Sequence, residues 1–98
     1  MIEVRETATY TDWIAGLADL RVRGRIIARV VRLSQGNAGD AKSVGDGVSE
    51  LRIDHGPGYR VYYTRRGRLL ILLLCGGDKS TQDRDIRRAK ALAKDLKT

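Results

Sequence analysis

The sequence predicts an α+β protein with helices packed on a sheet that is mostly antiparallel. Three observations carry this: helical periodicity near both ends, a series of short alternating segments between them, and one apolar run without alternation, LLILLLC at residues 69–75. At 98 residues the chain is expected to form one domain, 1–98, with one modest core, because folding at this size buries roughly 65% of the surface of the unfolded chain. A hydrophobic content of 42% against 32% charged residues and a single proline favours a globular chain over a disordered one.

The first element is a short strand in IEVRE, residues 2–6. From Thr11 the period changes, and Trp13, Ile14, Leu17 and Leu20 fall on one helical face, with Thr11 or Asp12 as N-cap. Gly24 is read as the interruption before a second helix that turns Ile26, Ile27, Val30, Val31 and Leu33 inward, so the two form a helical hairpin. SQGNAGD, residues 34–40, stops that helix. Strands follow at Lys42–Val44, Val48–Asp54, Tyr59–Thr64 and Leu69–Cys75, giving four or five with the first. The last is expected at the centre of the sheet, since it is apolar on both faces. A final helix runs from Gln82 to about Leu96, capped by Thr81 or Ser80, with Asp83 and Asp85 in its first turn and Ile86, Ala89, Leu92, Ala93 and Leu96 as its apolar stripe.

The 19 Lys and Arg against 12 Asp and Glu give a net charge of +7, which suits a polyanionic partner such as nucleic acid, a ribosomal surface or an acidic protein. Arg25, Arg29 and Arg32 line one face of the second helix, and no acid lies between Asp19 and Asp40. This stripe is either a solvated face or a contact for phosphate or an acidic partner. The single cysteine, Cys75, rules out an internal disulfide or a cysteine-rich zinc site and reads as an inert buried thiol. The amino-terminal residues lack the apolar stretch of a signal peptide, and LLILLLC is too short to span a membrane, so a cytoplasmic protein without membrane association is expected. No metal site, phosphate loop or catalytic triad is visible, and no cofactor is expected.

The stretch ELRIDHGPGYRVYY, residues 50–63, is a hairpin whose register can be worked out. Leu51 and Ile53 share one face while Glu50, Arg52 and Asp54 share the other; on the return strand Tyr59, Val61 and Tyr63 oppose Arg60 and Tyr62. Matching the apolar faces sets Leu51 against Val61 and forces Arg52 against Arg60. Two guanidiniums about 5.5 Å apart repel by up to ~3 kcal/mol at an effective dielectric near 20. Either Glu50 and Asp54 neutralise the pair on an exposed face, or the site between the arginines takes a phosphate, which the planar fork of Arg binds well. Tyr62 on that face is expected to stack on a base or donate a hydrogen bond. Lys79 follows Gly76 and Gly77, whose lack of side chains would let backbone approach a ligand. His55, the only histidine, lies in the bend and needs no catalytic reason to be there.

The ordered elements W-I-x-x-L-x-D-L, Q-G-N-A-G-D-x-K-x-V-G-D-G-V-S-E-L-R-I, G-P-G-Y-R-V-Y-Y and L-L-L-C-G-G-D-K-S-T-Q-D-x-D-I resemble the addiction-module killer proteins of the RelE/ParE superfamily. These are the HigB-like toxins of type II toxin–antitoxin systems, and the resemblance extends from Trp13 to the last helix. It implies a helical hairpin on an antiparallel sheet with a carboxy-terminal helix, and a cognate antitoxin, usually of helix-turn-helix type, that binds the toxin in a hetero-oligomer. It also implies one of three activities: ribosome-dependent mRNA cleavage without metal, gyrase inhibition as in the ParE branch, or antitoxin binding and co-repression by an inactive homologue.

Under the nuclease reading, Arg60 and Lys79 match the family's catalytic strand arginine and the basic residue after the next strand. Arg52, Lys42, Tyr62, Arg29 and Arg32 become RNA or phosphate contacts. The chain departs from the family in having no Tyr, His or Phe after Cys75. His55, Tyr62 or Tyr63 would then supply acid–base chemistry, or Lys79 would act alone.

Overall fold

A computed structural model describes residues 2–96. The order is β1 (Glu3–Glu6), α1 (Ala8–Ala15), α2 (Leu20–Ser34), β2 (Ala41–Gly45), β3 (Val48–Ile53), β4 (Tyr59–Arg66), β5 (Leu70–Asp78), a 3-10 turn at Lys79–Thr81, and α3 (Gln82–Asp95). The five strands form one sheet in the order β1-β5-β4-β3-β2. Three of its pairings are antiparallel and β1 joins β5 in parallel, so the expected α+β class holds with a mixed sheet. The apolar run lies inside the sheet, but β4, not β5, is the middle strand, because β1 adds a single strand beyond β5 while β3 and β2 lie beyond β4.

The helical hairpin breaks earlier than the periodicity suggests. Thr7 caps α1, its Oγ1 accepting from the Tyr10 amide at 3.0 Å while its hydroxyl donates to the Leu74 carbonyl at 2.6 Å. Asp19 caps α2 by accepting from the Arg21 amide at 2.9 Å. The break therefore falls at Gly16–Asp19, and Gly24 lies within α2, where its roughly 1 kcal/mol propensity cost relative to Ala is outweighed by packing. With α2 starting at Leu20, its inward stripe is Val22, Ile26 and Leu33, leaving Ile27 and Val31 about half exposed.

The sheet is covered on both faces, which corrects the expectation of one core. Tyr10, Val22, Ile26 and Leu33 of α1 and α2 pack on Leu51, Ile53, Val61, Tyr63, Ile71 and Leu73. Ala89 and Ala93 of α3 pack on Val48, Tyr62, Leu72, Leu74 and Cys75 on the other face. Between Tyr62 and Tyr63 the register with β5 shifts, from Tyr62 opposite Cys75 to Tyr63 opposite Leu73. This bulge leaves Leu74 unopposed and sends Leu74 and Cys75 to the same side.

Gly76 and Gly77 admit the protein's own helices rather than a ligand. A Cβ on Gly76 would lie 2.3 Å from the Trp13 ring of α1, and one on Gly77 would lie 1.9 Å from Oδ2 of Asp85 in α3. Thr81 occupies the N-cap position of α3 as expected, but its hydroxyl donates to Asp85 Oδ2 at 2.6 Å instead of capping an amide. No helix of the described residues is long and apolar enough to cross a membrane.

Candidate phosphate-binding site

The β3–β4 register is the one forced by matching apolar faces: Leu51 opposes Val61, Ile53 opposes Tyr59, and Arg52 opposes Arg60. Strand pairing also places Lys42 of β2 opposite Glu50 and Tyr62 on its other side. Four basic and acidic side chains are thereby brought to the face of the sheet that α3 partly covers.

The charge between the arginines belongs to Glu50, whose side chain is only 1% exposed. Its Oε2 accepts from Arg52 Nε at 3.1 Å. Its Oε1 accepts from Gln82 Nε2 at 2.6 Å and from the Tyr62 hydroxyl at 3.3 Å, and lies 3.6 Å from Arg60 Nε. One buried carboxylate thus offsets the repulsion expected of the opposed arginines. Such a charge is tolerable inside a protein only with partners this numerous.

Arg60 is held at the edge of the groove with 14% of its side chain exposed. Its Nη1 donates to the Tyr59 carbonyl at 3.1 Å, and its buried Nε makes no hydrogen bond among the described residues. Arg52 is more open, at 33%, with Asp40 a distant 3.9 Å from its Nη1. Lys79 reaches the same place through its backbone, whose N–H donates to the Gly58 carbonyl at 2.9 Å. Gly58 has a φ of +81°, and a Cβ there would meet Arg60 Nη1 at 3.6 Å and the Lys79 Cβ at 3.8 Å. The turn therefore sets Arg60 beside an exposed lysine and can do so only while Gly58 stays in the left-handed region. The result is a basic cluster of Arg52, Arg60 and Lys79 with a buried acid beneath it, an arrangement suited to phosphate oxygens.

Several expected contacts fall elsewhere. Tyr62 is fully buried, so stacking on a base is ruled out; α3 closes over the strand face that alternation alone marks as polar and open. Burial, and then the Glu50 carboxylate, hold its phenol firmly protonated. Tyr63 packs in the core beneath α1 and α2, on the opposite face from Arg60, because successive strand side chains alternate. It cannot serve as acid or base at this cluster.

Arg29 is consumed by structure. Its guanidinium donates to the carbonyls of Arg52 at 2.6 Å, Ala38 at 3.0 Å and Asp40 at 3.3 Å, clamping the loop before β2 onto the end of β3. Arg32 remains exposed on α2, which packs against the other face of the sheet. Lys42 is exposed on the edge strand, and His55 is partly exposed in the turn. Among the described residues no three His, Cys, Asp or Glu side chains converge in a way that could hold a metal ion.

Sequence reasoning undervalued Glu50 and missed Gln82. The signal for Glu50 was present, since an acid two residues from Arg52 shares its strand face. Gln82 lies on α3, and nothing local ties it to β3.

Comparison with known proteins places these elements in context. A family model described as "Phage derived protein Gp49-like (DUF891)" matches residues 12–98, a span containing the whole basic cluster. An uncharacterized protein of Haemophilus influenzae (strain ATCC 51907 / DSM 11121 / KW20 / Rd) is 54% identical over 95 residues, covering 97% of this chain and 96% of that one. No solved structure matches the chain.

Proposed function

This chain belongs to the Gp49-like (DUF891) family of phage-derived proteins, a RelE/ParE-like toxin family of toxin–antitoxin systems, and from that premise we propose that it is a HigB-like, ribosome-dependent mRNA endonuclease. In this reading it acts in the cytoplasm, forms one domain over residues 1–98, and is neutralised by a cognate antitoxin of helix-turn-helix type.

The observation that carries the reading is Arg60, a nearly enclosed guanidinium whose Nε faces Glu50 at 3.6 Å without a hydrogen bond among the described residues, set beside the exposed Lys79. RNA cleavage without metal proceeds when the 2′-oxygen loses its proton and attacks phosphorus. The phosphorus–5′-oxygen bond then breaks, and the leaving oxygen takes up a proton. Negative charge grows on the phosphorane in between, and fixed cations placed against it lower the barrier. Arg60 fills that role, Arg52 holds a neighbouring phosphate oxygen, and Lys42 extends the track for the RNA backbone. With both tyrosines unavailable, proton transfer to the leaving oxygen falls to Lys79, and the imidazole of His55 in the turn is the group left to accept the 2′-proton.

Induction of the wild-type chain is expected to arrest growth and to leave cleaved transcripts detectable by primer extension, with plasmid supercoiling unchanged at early times. Arg60→Ala and Lys79→Ala should each lower cleavage by about 10²- to 10³-fold, the usual cost of removing one preorganised charge stabiliser. If both variants stay as toxic as wild type, the site is wrong. Loss of supercoiling without cleaved transcripts would point to gyrase inhibition instead. A second reading, an inactive homologue that binds antitoxin and co-represses, is favoured by the removal of Tyr62 and Tyr63 from the cluster; normal growth on induction together with tight antitoxin binding would establish it.

A further inference from the structure

We infer that Glu50 is a positioning residue whose buried carboxylate, fixed by Gln82 of α3, holds the Arg52 and Arg60 guanidiniums side by side as one receptor for the phosphodiester of a single-stranded RNA. The inference rests on the RNA-cleaving reading above.

The geometry sets it apart from ordinary charge neutralisation. Each arginine turns its Nε toward a different oxygen of the same carboxylate, Arg52 to Oε2 at 3.1 Å and Arg60 to Oε1 at 3.6 Å. With Nε turned to the carboxylate, Arg60 keeps Nη2 for an anion while its Nη1 serves the Tyr59 carbonyl. Arg52 keeps Nη2 while its Nη1 faces Asp40 at 3.9 Å, and one carboxylate between two guanidiniums fixes their spacing. Without that carboxylate the opposed cations would repel and separate.

Glu50 is itself too deeply buried, at 1%, to touch an RNA hydroxyl, so it acts through the arginines and not on the substrate. Its orientation is set from a different element. Gln82, the first residue of α3, donates to Oε1 at 2.6 Å, and the Tyr62 hydroxyl donates to the same oxygen. The first turn of α3 is in turn seated by Asp85 over Gly77, directly across the strands from Arg60. The receptor is therefore assembled from β3, β4 and α3, and its precision depends on the α3 contact.

Positioning and simple charge give opposite signs in one experiment. Glu50→Gln keeps the shape but removes the buried negative charge that faces both arginines, making the site more cationic. If the carboxylate only neutralised charge, a 2′-O-methyl oligoribonucleotide, which cannot be cleaved through its 2′-oxygens, should bind Glu50→Gln as tightly as wild type or more tightly. If it positions the arginines, affinity should fall at least 10-fold despite the added net charge. The Arg52 and Arg60 Nε–H signals, assigned by NMR and shifted by the oligonucleotide in wild type, should then broaden and lose that response.

Gln82→Ala, at a half-buried helix start, provides a variant expected to fold whatever Glu50→Gln does, and should weaken oligonucleotide binding about 3-fold with net charge unchanged. Unaltered binding and unaltered Nε–H responses in Gln82→Ala, or binding by folded Glu50→Gln at least as tight as wild type, would overturn the inference. Binding requires no cleavage, so the two readings fail separately. A wild-type chain that binds the oligonucleotide through both arginines but cuts no transcript supports positioning and removes the nuclease, whereas toxic, wild-type-like cleavage and binding by Glu50→Gln keeps the nuclease and removes positioning.

Discussion

Replacing Arg29 with alanine separates structural from ligand-binding arginines on α2. The Arg29 guanidinium serves three backbone carbonyls, and Gly39, with a φ of +64°, lets the loop fold around it so closely that a Cβ there would sit 3.0 Å from Nη2. The short bond to the Arg52 carbonyl is partly buried and charge-assisted, and its loss costs about 1.5–3 kcal/mol. Water can replace the guanidinium at the exposed Asp40 carbonyl, and the longer, part-buried Ala38 bond adds a smaller share, so a total of about 2–4 kcal/mol is expected. For a chain of this length that corresponds to a fall in Tm of about 10–20 °C.

Urea titration and thermal melts of Arg29→Ala check the estimate, with Arg25→Ala and Arg32→Ala as internal controls. Both control side chains are exposed on the same helix, and each substitution should stay within about 0.5 kcal/mol of wild type. If Arg29→Ala melts with the controls and instead loses RNA affinity, the clamp is the wrong account and Arg29 is a phosphate ligand after all.

Gly76→Ala would drive a Cβ to 2.3 Å from the Trp13 ring at a position whose φ is not left-handed, so the effect is steric alone. A loss of about 1–3 kcal/mol or more is expected, read as a lower urea midpoint together with a change in tryptophan fluorescence as α1 shifts. Alkaline pH should weaken the fold as well. Burial, followed by neighbouring carboxylates, raises the Cys75 thiol from 9.0 to about 12 and the Tyr10 phenol from 10.0 to about 12. The unfolded chain therefore gives up these protons first, and stability that is intact below about pH 9 declines as the pH rises toward 12. Urea midpoints measured from pH 8 to 11 should fall, and Cys75→Ala should flatten the fall between pH 9 and 10.

The sequence disclosed what two-residue periodicity controls. Pairing Leu51 with Val61 fixed the Arg52–Arg60 contact without any tertiary information, and the apolar stripe of α3 was recognisable from Ile86 to Leu96. The sequence hid what depends on a third element arriving from far along the chain. Where α1 and α2 begin was settled by Thr7 and Asp19 as N-caps, and these compete locally with the apolar spacing that made Gly24 look like the break. The glycine pair after Cys75 was read as letting backbone approach a ligand, and nothing in its neighbourhood says that Trp13 and Asp85, from opposite faces, are what approaches instead.

The largest misreading concerned the polar face of β3 and β4, and its cause is general. Alternation tells which side chains share a face, and a polar set is then assigned to water by default. Here that face is half roofed by a helix whose buried positions include Ala89 and Ala93, residues small enough for α3 to descend on Tyr62 while its first residue reaches Glu50. An acid flanked on its own strand face by arginine, and opposed by a tyrosine that can donate to it, already holds much of what burial requires. Such a set marks a buried anion as readily as a solvated surface, and the small residues of a later helix decide between the two. In this chain that choice turns Tyr62 from an expected contact for RNA into a support for Glu50, leaving Arg52, Arg60 and Lys79 as the basic groups of the proposed site.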